Sequence, residues 1–175
     1  MLAPVPSPKT TRRLGRAGIA FVVVISAGVW FYALVLSDAK PTDTLSDKTF
    51  APAAEPICKA MTNQLKADGL VDQVAPTPQT RAALAAKADA VVSTMVDQLA
   101  TRVPSTGTDA RILTAWIGDW HAWLEDRATW ESMLRSGKDG PFNERQRQTG
   151  EPNSQALDTL ANTNDMPSCT IPSGV

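Results

Sequence analysis

The chain has 175 residues, with 17 Lys and Arg against 18 Asp and Glu, one His and two Cys, for a formal net charge of −1 at pH 7. That balance, with no basic stripe past the first sixteen residues, gives nucleic-acid binding no support. Two distant cysteines and a single histidine are too few for a zinc site of the usual four-ligand kind, and neither a metal nor another cofactor is expected.

Residues 1–16 carry Pro4, Pro6 and Pro8, which oppose regular helix, followed by Lys9, Arg12, Arg13 and Arg16. They read as a short basic cytoplasmic stub, placed to meet anionic lipid headgroups. Residues 17–37, AGIAFVVVISAGVWFYALVLS, contain no charge. About twenty apolar residues are what an α-helix needs to cross the hydrocarbon core, with its backbone polar groups satisfied internally. Arg12, Arg13 and Arg16 precede this run, and the mostly acidic set Asp38, Lys40, Asp43 and Asp47 follows it. The positive-inside rule therefore predicts a single-pass cell-membrane protein with a cytoplasmic N-terminus and an exported C-terminal part. Trp30, Phe31 and Tyr32 sit toward the outer end, where aromatic rings favour the interface. Gly18 and Gly28 are too far apart for a GxxxG dimer motif. Ser37-Asp38-Ala39 has the small-x-small form of a signal-peptide cleavage site, which would leave Lys40 at the terminus. The length of the apolar run favours an uncleaved signal anchor, and cleavage is the alternative.

Residues 38–52, rich in Ser, Thr, Asp and Pro, read as a solvated linker. Residues 53–166 then read as one all-α extracytoplasmic domain, a bundle of three long helices and one short helix, with 167–175 as a tail. The first helix is expected over Ala53–Leu70, with Ile57, Met61, Leu65 and Ala60 on its apolar side and Gly69 at its end. Thr77-Pro78 has the form of an N-cap followed by proline at the first helical position. Leu84, Ala88, Val91, Met95, Leu99 and Val103 recur after it at helical spacing, until Pro104 and Gly107. The alanines at 82, 83, 85 and 86 add helix propensity and let a neighbour approach.

The third helix, Asp109–Ser136, is the most distinctive. Leu113, Trp116, Trp120, Trp123, Arg127, Trp130 and Leu134 follow steps of three and four, forming one stripe opposite a small or polar face. Two readings stand for it. The rings are core, with Arg127 stacked over Trp123 or Trp130; or Trp116, Trp120, Trp123, Arg127 and Trp130 form a partner or ligand face. Glu125, Asp126 and Glu131 read as a solvated face, with partners such as Arg127 and Arg135. After Gly137 the chain reads as loop until a short helix capped by Ser154, with Leu157 and Leu160 as its contacts.

Cys58 and Cys169 stand near the two ends of the exported part, and an even pair in an oxidising compartment predicts a disulfide. His121 with Glu125 one turn on lacks the third ligand or nucleophile that metal binding or catalysis needs, so no catalytic residue is expected. GKDG is not a P-loop, and GxSxG and HExxH are absent from the sequence.

The WxxDWxxWLEDR pattern at Trp116–Arg127 and the MPSC ending at Met166–Cys169, in an Ala-, Thr- and Asp-rich exported part, resemble small single-pass membrane proteins of actinobacterial genomes. The resemblance implies an anchored helical domain and brings no activity with it. The function expected is a non-catalytic interaction module or accessory subunit whose partners are the bilayer and a membrane or envelope protein. The alternative is a domain that binds a cell-envelope glycan or small molecule on the Trp stripe.

Overall fold

The computed structural model describes residues 21–31 and 43–174, in two compact units that divide between residues 40 and 41. In the first unit, residues 21–31 are helical with exposed apolar side chains, among them Phe21, Ile25 and Trp30. Among the described residues no helix is long and apolar enough to cross a membrane. The expected span at 17–37 lies only in part within those residues. Arg12, Arg13, Arg16 and the Ala39–Lys40 junction lie outside them.

The second unit is an all-α bundle: α1 (Phe50–Ala67), α2 (Pro78–Ala100), α3 (Thr108–Arg135) and the short α4 (Asn153–Thr163), closed by a 3₁₀ turn at Pro167–Cys169. No strand occurs among the described residues, only an isolated bridge between Gln146 and Pro152. Three long helices and one short helix are the architecture expected.

Helix α1 starts at Phe50, three residues before the expected Ala53. Pro52 falls in the first turn, where its missing N–H has no intrahelical acceptor to lose; only Pro56 removes a helical hydrogen bond. The early start puts Phe50, Ala54, Cys58, Met61 and Leu65 on one buried stripe, while Ala60, expected on that side, is exposed. Gly69, at φ +60°, ends the helix in a Schellman motif: Leu70 N donates to Leu65 O at 2.9 Å and Gly69 N to Lys66 O at 3.1 Å. Leu70 then folds back into the core.

Thr77 caps α2 as predicted, its hydroxyl accepting from Thr80 N at 3.1 Å. The buried side of α2 is Ala82, Ala85, Ala88, Val92, Met95, Val96 and Leu99, a stripe rotated from the expected one, so Leu84 and Val91 lie at its edge. These alanines permit the close α2–α3 packing that forms the most extensive helix contact of the bundle.

Residues 43–49, within the stretch read as linker, are hydrogen-bonded to the bundle. The Asp109 carboxylate, in the first turn of α3, accepts from Ser46 N at 3.1 Å and Asp47 N at 2.7 Å. Buried Asn164 accepts from Leu45 N at 2.8 Å and donates to Asp43 O and Leu160 O at 2.8 and 2.9 Å. Helix α4 is capped from a distance: the Glu144 carboxylate accepts from Ser154 N at 2.8 Å and Ser154 Oγ at 2.6 Å. Ser154, expected as the cap itself, is the second residue of the helix.

Cys58 of α1 and Cys169 of the 3₁₀ turn form a disulfide across 111 residues of sequence. Both are fully buried. Closing so long a loop restricts the unfolded chain by about 4–5 kcal/mol in the chain-entropy treatment. A Cys58→Ala, Cys169→Ala double variant is therefore expected to lose about 3–5 kcal/mol of stability, read as a lower urea midpoint at unchanged helical circular dichroism. A midpoint unmoved by the substitution would show that the bridge adds nothing to the packed core.

Candidate functional site

The aromatic stripe of α3 forms as the spacing predicts, and it lies inside. Trp116, Trp120 and Trp123 are 1%, 0% and 3% exposed, and Arg127 is 2% exposed; Trp130 is half-buried. Of the two readings, burial favours the core one for Trp116, Trp120, Trp123 and Arg127 and corrects their reading as an open partner or ligand face, while Trp130 keeps part of its surface accessible. The side of α3 that carries them packs against α2 and α4, because only there can so much apolar area leave water. The rings meet edge to face: Trp116–Trp120 at 6.3 Å, Trp120–Trp123 at 5.9 Å, and Phe142 against Trp123 and Trp130 at 6.1 and 5.9 Å. Trp116 Nε1 donates to Leu157 O at 3.2 Å, and Trp130 Nε1 to Gly140 O at 3.0 Å.

Within this aromatic layer sits one cation. The Arg127 guanidinium lies 5.2 Å from the Trp123 ring centre, 5.3 Å from that of Trp130 and 5.7 Å from that of Phe142. Its Nε donates to both carboxylate oxygens of Asp89 on α2, at 2.9 and 3.2 Å. The Glu131 carboxyl also acts on Asp89. Glu131 is only 6% exposed and accepts from Arg135 Nη2 at 2.6 Å. Its place corrects the reading of Glu131 as part of a solvated face, although the partnership with Arg135 is as expected.

The surroundings of Asp89 act on its proton affinity in opposite directions. Burial drives the Asp89 pKa up, Arg127 pulls it down, and the hydrogen bond and charge of Glu131 push it up again, to about 7. The cluster's chemistry is that of a fastener between α2 and α3, with the cation paired to Asp89 and boxed by rings.

The remaining candidates are scattered. His121 is exposed on the outer face of α3. Glu125, its expected partner, accepts from Arg145 Nη2 at 3.1 Å, and Asp126 accepts from Arg145 Nε at 2.7 Å, so these two acids hold the loop after α3. Among the described residues no group of three His, Cys, Asp or Glu is placed to hold a metal ion. Asp89 and Phe142 escaped the sequence reading. One signal for Asp89 was present: it is the single acid bordering the Ala85–Ala88–Val92 stripe, opposite the single base in the stripe of α3. Phe142 is one aromatic residue in a polar loop, and nothing in its neighbours announces its position.

No protein-family model, curated protein or solved structure matches this chain.

Arg127→Met would leave Asp89 buried without its cation and is expected to cost about 3–5 kcal/mol, most of it recovered when Asp89→Asn is added. Urea titrations of the single and double variants measure this coupling, and additive losses would contradict it. The raised Asp89 pKa also sets a pH dependence. The folded chain keeps a proton here that the unfolded chain releases near pH 4. The stability gained from that proton is present below about pH 4 and lost as pH rises toward 7, so wild-type stability relative to Asp89→Asn should fall across this window. A constant difference between pH 4 and 7 would refute the raised Asp89 pKa.

Proposed function

We propose that this chain is a membrane-anchored extracytoplasmic interaction module, an accessory subunit without catalytic activity, whose bundle binds a protein of the membrane or envelope. The charge-free run at 17–37 behind Arg12, Arg13 and Arg16 supports the anchor, as do the exposed apolar side chains of the helical residues 21–31. The buried Cys58–Cys169 disulfide fits an oxidising compartment outside the cytoplasm.

The observation that carries the binding part is a wide, shallow depression of about 820 Å³ where the α2–α3 connection meets the first turns of α3. Pro104, Thr106, Gly107, Arg111 and Thr114 line it, and all but Pro104 are exposed. A broad, open surface of small side chains suits a protein better than a drug-sized ligand, which prefers an enclosing pocket. The glycan alternative loses its basis, since the interior rings offer sugars no stacking platform.

Full-length tagged protein, extracted from native membranes in mild detergent, is expected to carry a near-stoichiometric partner. Thr114→Arg should release that partner while leaving the near-ultraviolet signal of the buried tryptophans unchanged. A solitary wild-type protein, or a partner retained equally by the variant, would count against this reading. Alkaline carbonate should leave the chain in the membrane pellet; its release to the supernatant would overturn the anchor.

A further inference from the structure

A second feature of the surface adjoins that depression, sharing Arg111 and Ala115 with it, and goes beyond the interaction reading. Between α3, α4 and the loop around Arg147 runs a cleft of about 200 Å³ with an apolar floor that includes Ile112, Trp116 and Leu160. Its charged lining is incompletely paired. Asp119, on α3, is only 19% exposed, yet its nearest cation, Arg147 Nε, stands 3.5 Å away, beyond good hydrogen-bond length. Arg147 is engaged more closely by Glu151, its Nη1 donating at 2.8 Å. Among the described residues the Asp119 carboxylate accepts no hydrogen bond, and the Asp43 carboxylate, on the same cleft, accepts none either. Burial holds the Asp119 pKa up; Arg147 lowers it, while Glu151 and Asp43 raise it further. Three carboxylates thus act on this end of the cleft against one guanidinium.

The other end has the opposite deficit. Arg111 lines the same cleft and makes no ion pair among the described residues. It precedes Asp119 by eight residues of α3, about 12 Å along the helix axis at 1.5 Å per residue. An acid short of donors and a base short of an acceptor, two turns apart across an apolar floor, are complementary to one kind of molecule. We propose that this cleft binds a short zwitterion with an apolar middle, an ω-amino acid or a dipeptide, its ammonium at Asp119 and Asp43 and its carboxylate at Arg111. The ligand's two charges replace the missing partners, and its alkyl or side-chain portion covers Ile112, Trp116 and Leu160. A cleft of this volume admits such a molecule. The proposal does not depend on the interaction surface, because the experiment below needs no protein partner.

The test is a titration of the full-length chain in a non-ionic detergent, followed through the ¹⁵N-indole resonances, with Trp116 Nε1 as the reporter of the cleft floor. The probes are 6-aminohexanoate and the dipeptide Ala-Leu, with hexylammonium and hexanoate as the two half-charged controls. Saturable shifts at Trp116 are expected for at least one zwitterion, and which of the two binds more tightly distinguishes an ω-amino acid from a peptide source. Each half-charged control should bind at least tenfold more weakly, and Asp119→Asn and Arg111→Gln should each weaken the zwitterion at least tenfold. Both variants alter polar rim groups, and an unchanged indole spectrum without ligand verifies their fold. No saturation by either zwitterion, equal binding of a half-charged control, or binding indifferent to Arg111→Gln would each overturn the proposal.

Discussion

Removing a guanidinium from water costs several kcal/mol unless charge and hydrogen bonds are returned to it, and Arg127 meets that demand from three directions. Asp89 supplies the countercharge, so the register of α2 against α3 is set by one ion pair. A carboxylate on so short a side chain reaches its partner only if the helices lie close, which the alanines at 82, 85 and 88 allow. Trp123, Trp130 and Phe142 supply ring faces, and Phe142 can do so only if the chain turns back after α3. That reversal begins at Gly137, whose φ of +83° suits glycine, and is held by the Trp130–Gly140 hydrogen bond and the contacts of Arg145 with Asp126. The path of the loop follows from the cation it covers.

The other end of the bundle is organised by closures rather than by charge burial. The disulfide joins α1 to the 3₁₀ turn, and Glu55 reinforces it by accepting from Ser168 N at 3.1 Å. Asn164 holds the segment that enters the bundle, with three hydrogen bonds satisfying a buried amide. Asp165, at φ +58°, ends α4 without a glycine, so that Met166 N reaches back to Ala161 O at 2.9 Å. A bundle of this size buries a modest core, and such ties restrict the ends that packing alone would leave free to fray.

Periodicity made most of the fold legible. The steps of three and four in α3, the Thr77-Pro78 start of α2 and the Gly69 and Gly137 stops all correspond to observed elements, since each is a local signal with a local cause. What escaped was non-local. The start of α1 is obscured by Pro52 and Pro56, whose cost depends on their distance from the helix end. Glu131 looks like an ordinary surface acid until α2 brings Asp89 beside it. The cap of α4 comes from Glu144, ten residues upstream of Ser154, and no sequence rule at the helix itself points there. The candidate face on α3 was legible as a stripe but not as interior. A pattern says which residues share a side, whereas burial depends on what packs there.

The interior location of the tryptophans changes where recognition can reside. Had the rings been exposed, affinity could have come from aromatic contact on one helix. With those rings packed inside, the outer side of α3 is left with short side chains such as Thr114, Ala115, Gly118 and Thr129, which offer close approach but little apolar area. Recognition on such a surface must draw on shape and on charges that lack internal partners. Arg145, Arg135 and Arg81 are occupied by acids of the domain, while Arg111 and the Asp43 and Asp119 carboxylates line one cleft. What sets these residues apart is that charges of both signs flank one apolar cleft floor, so that a ligand meeting both gains more than either charge alone could give.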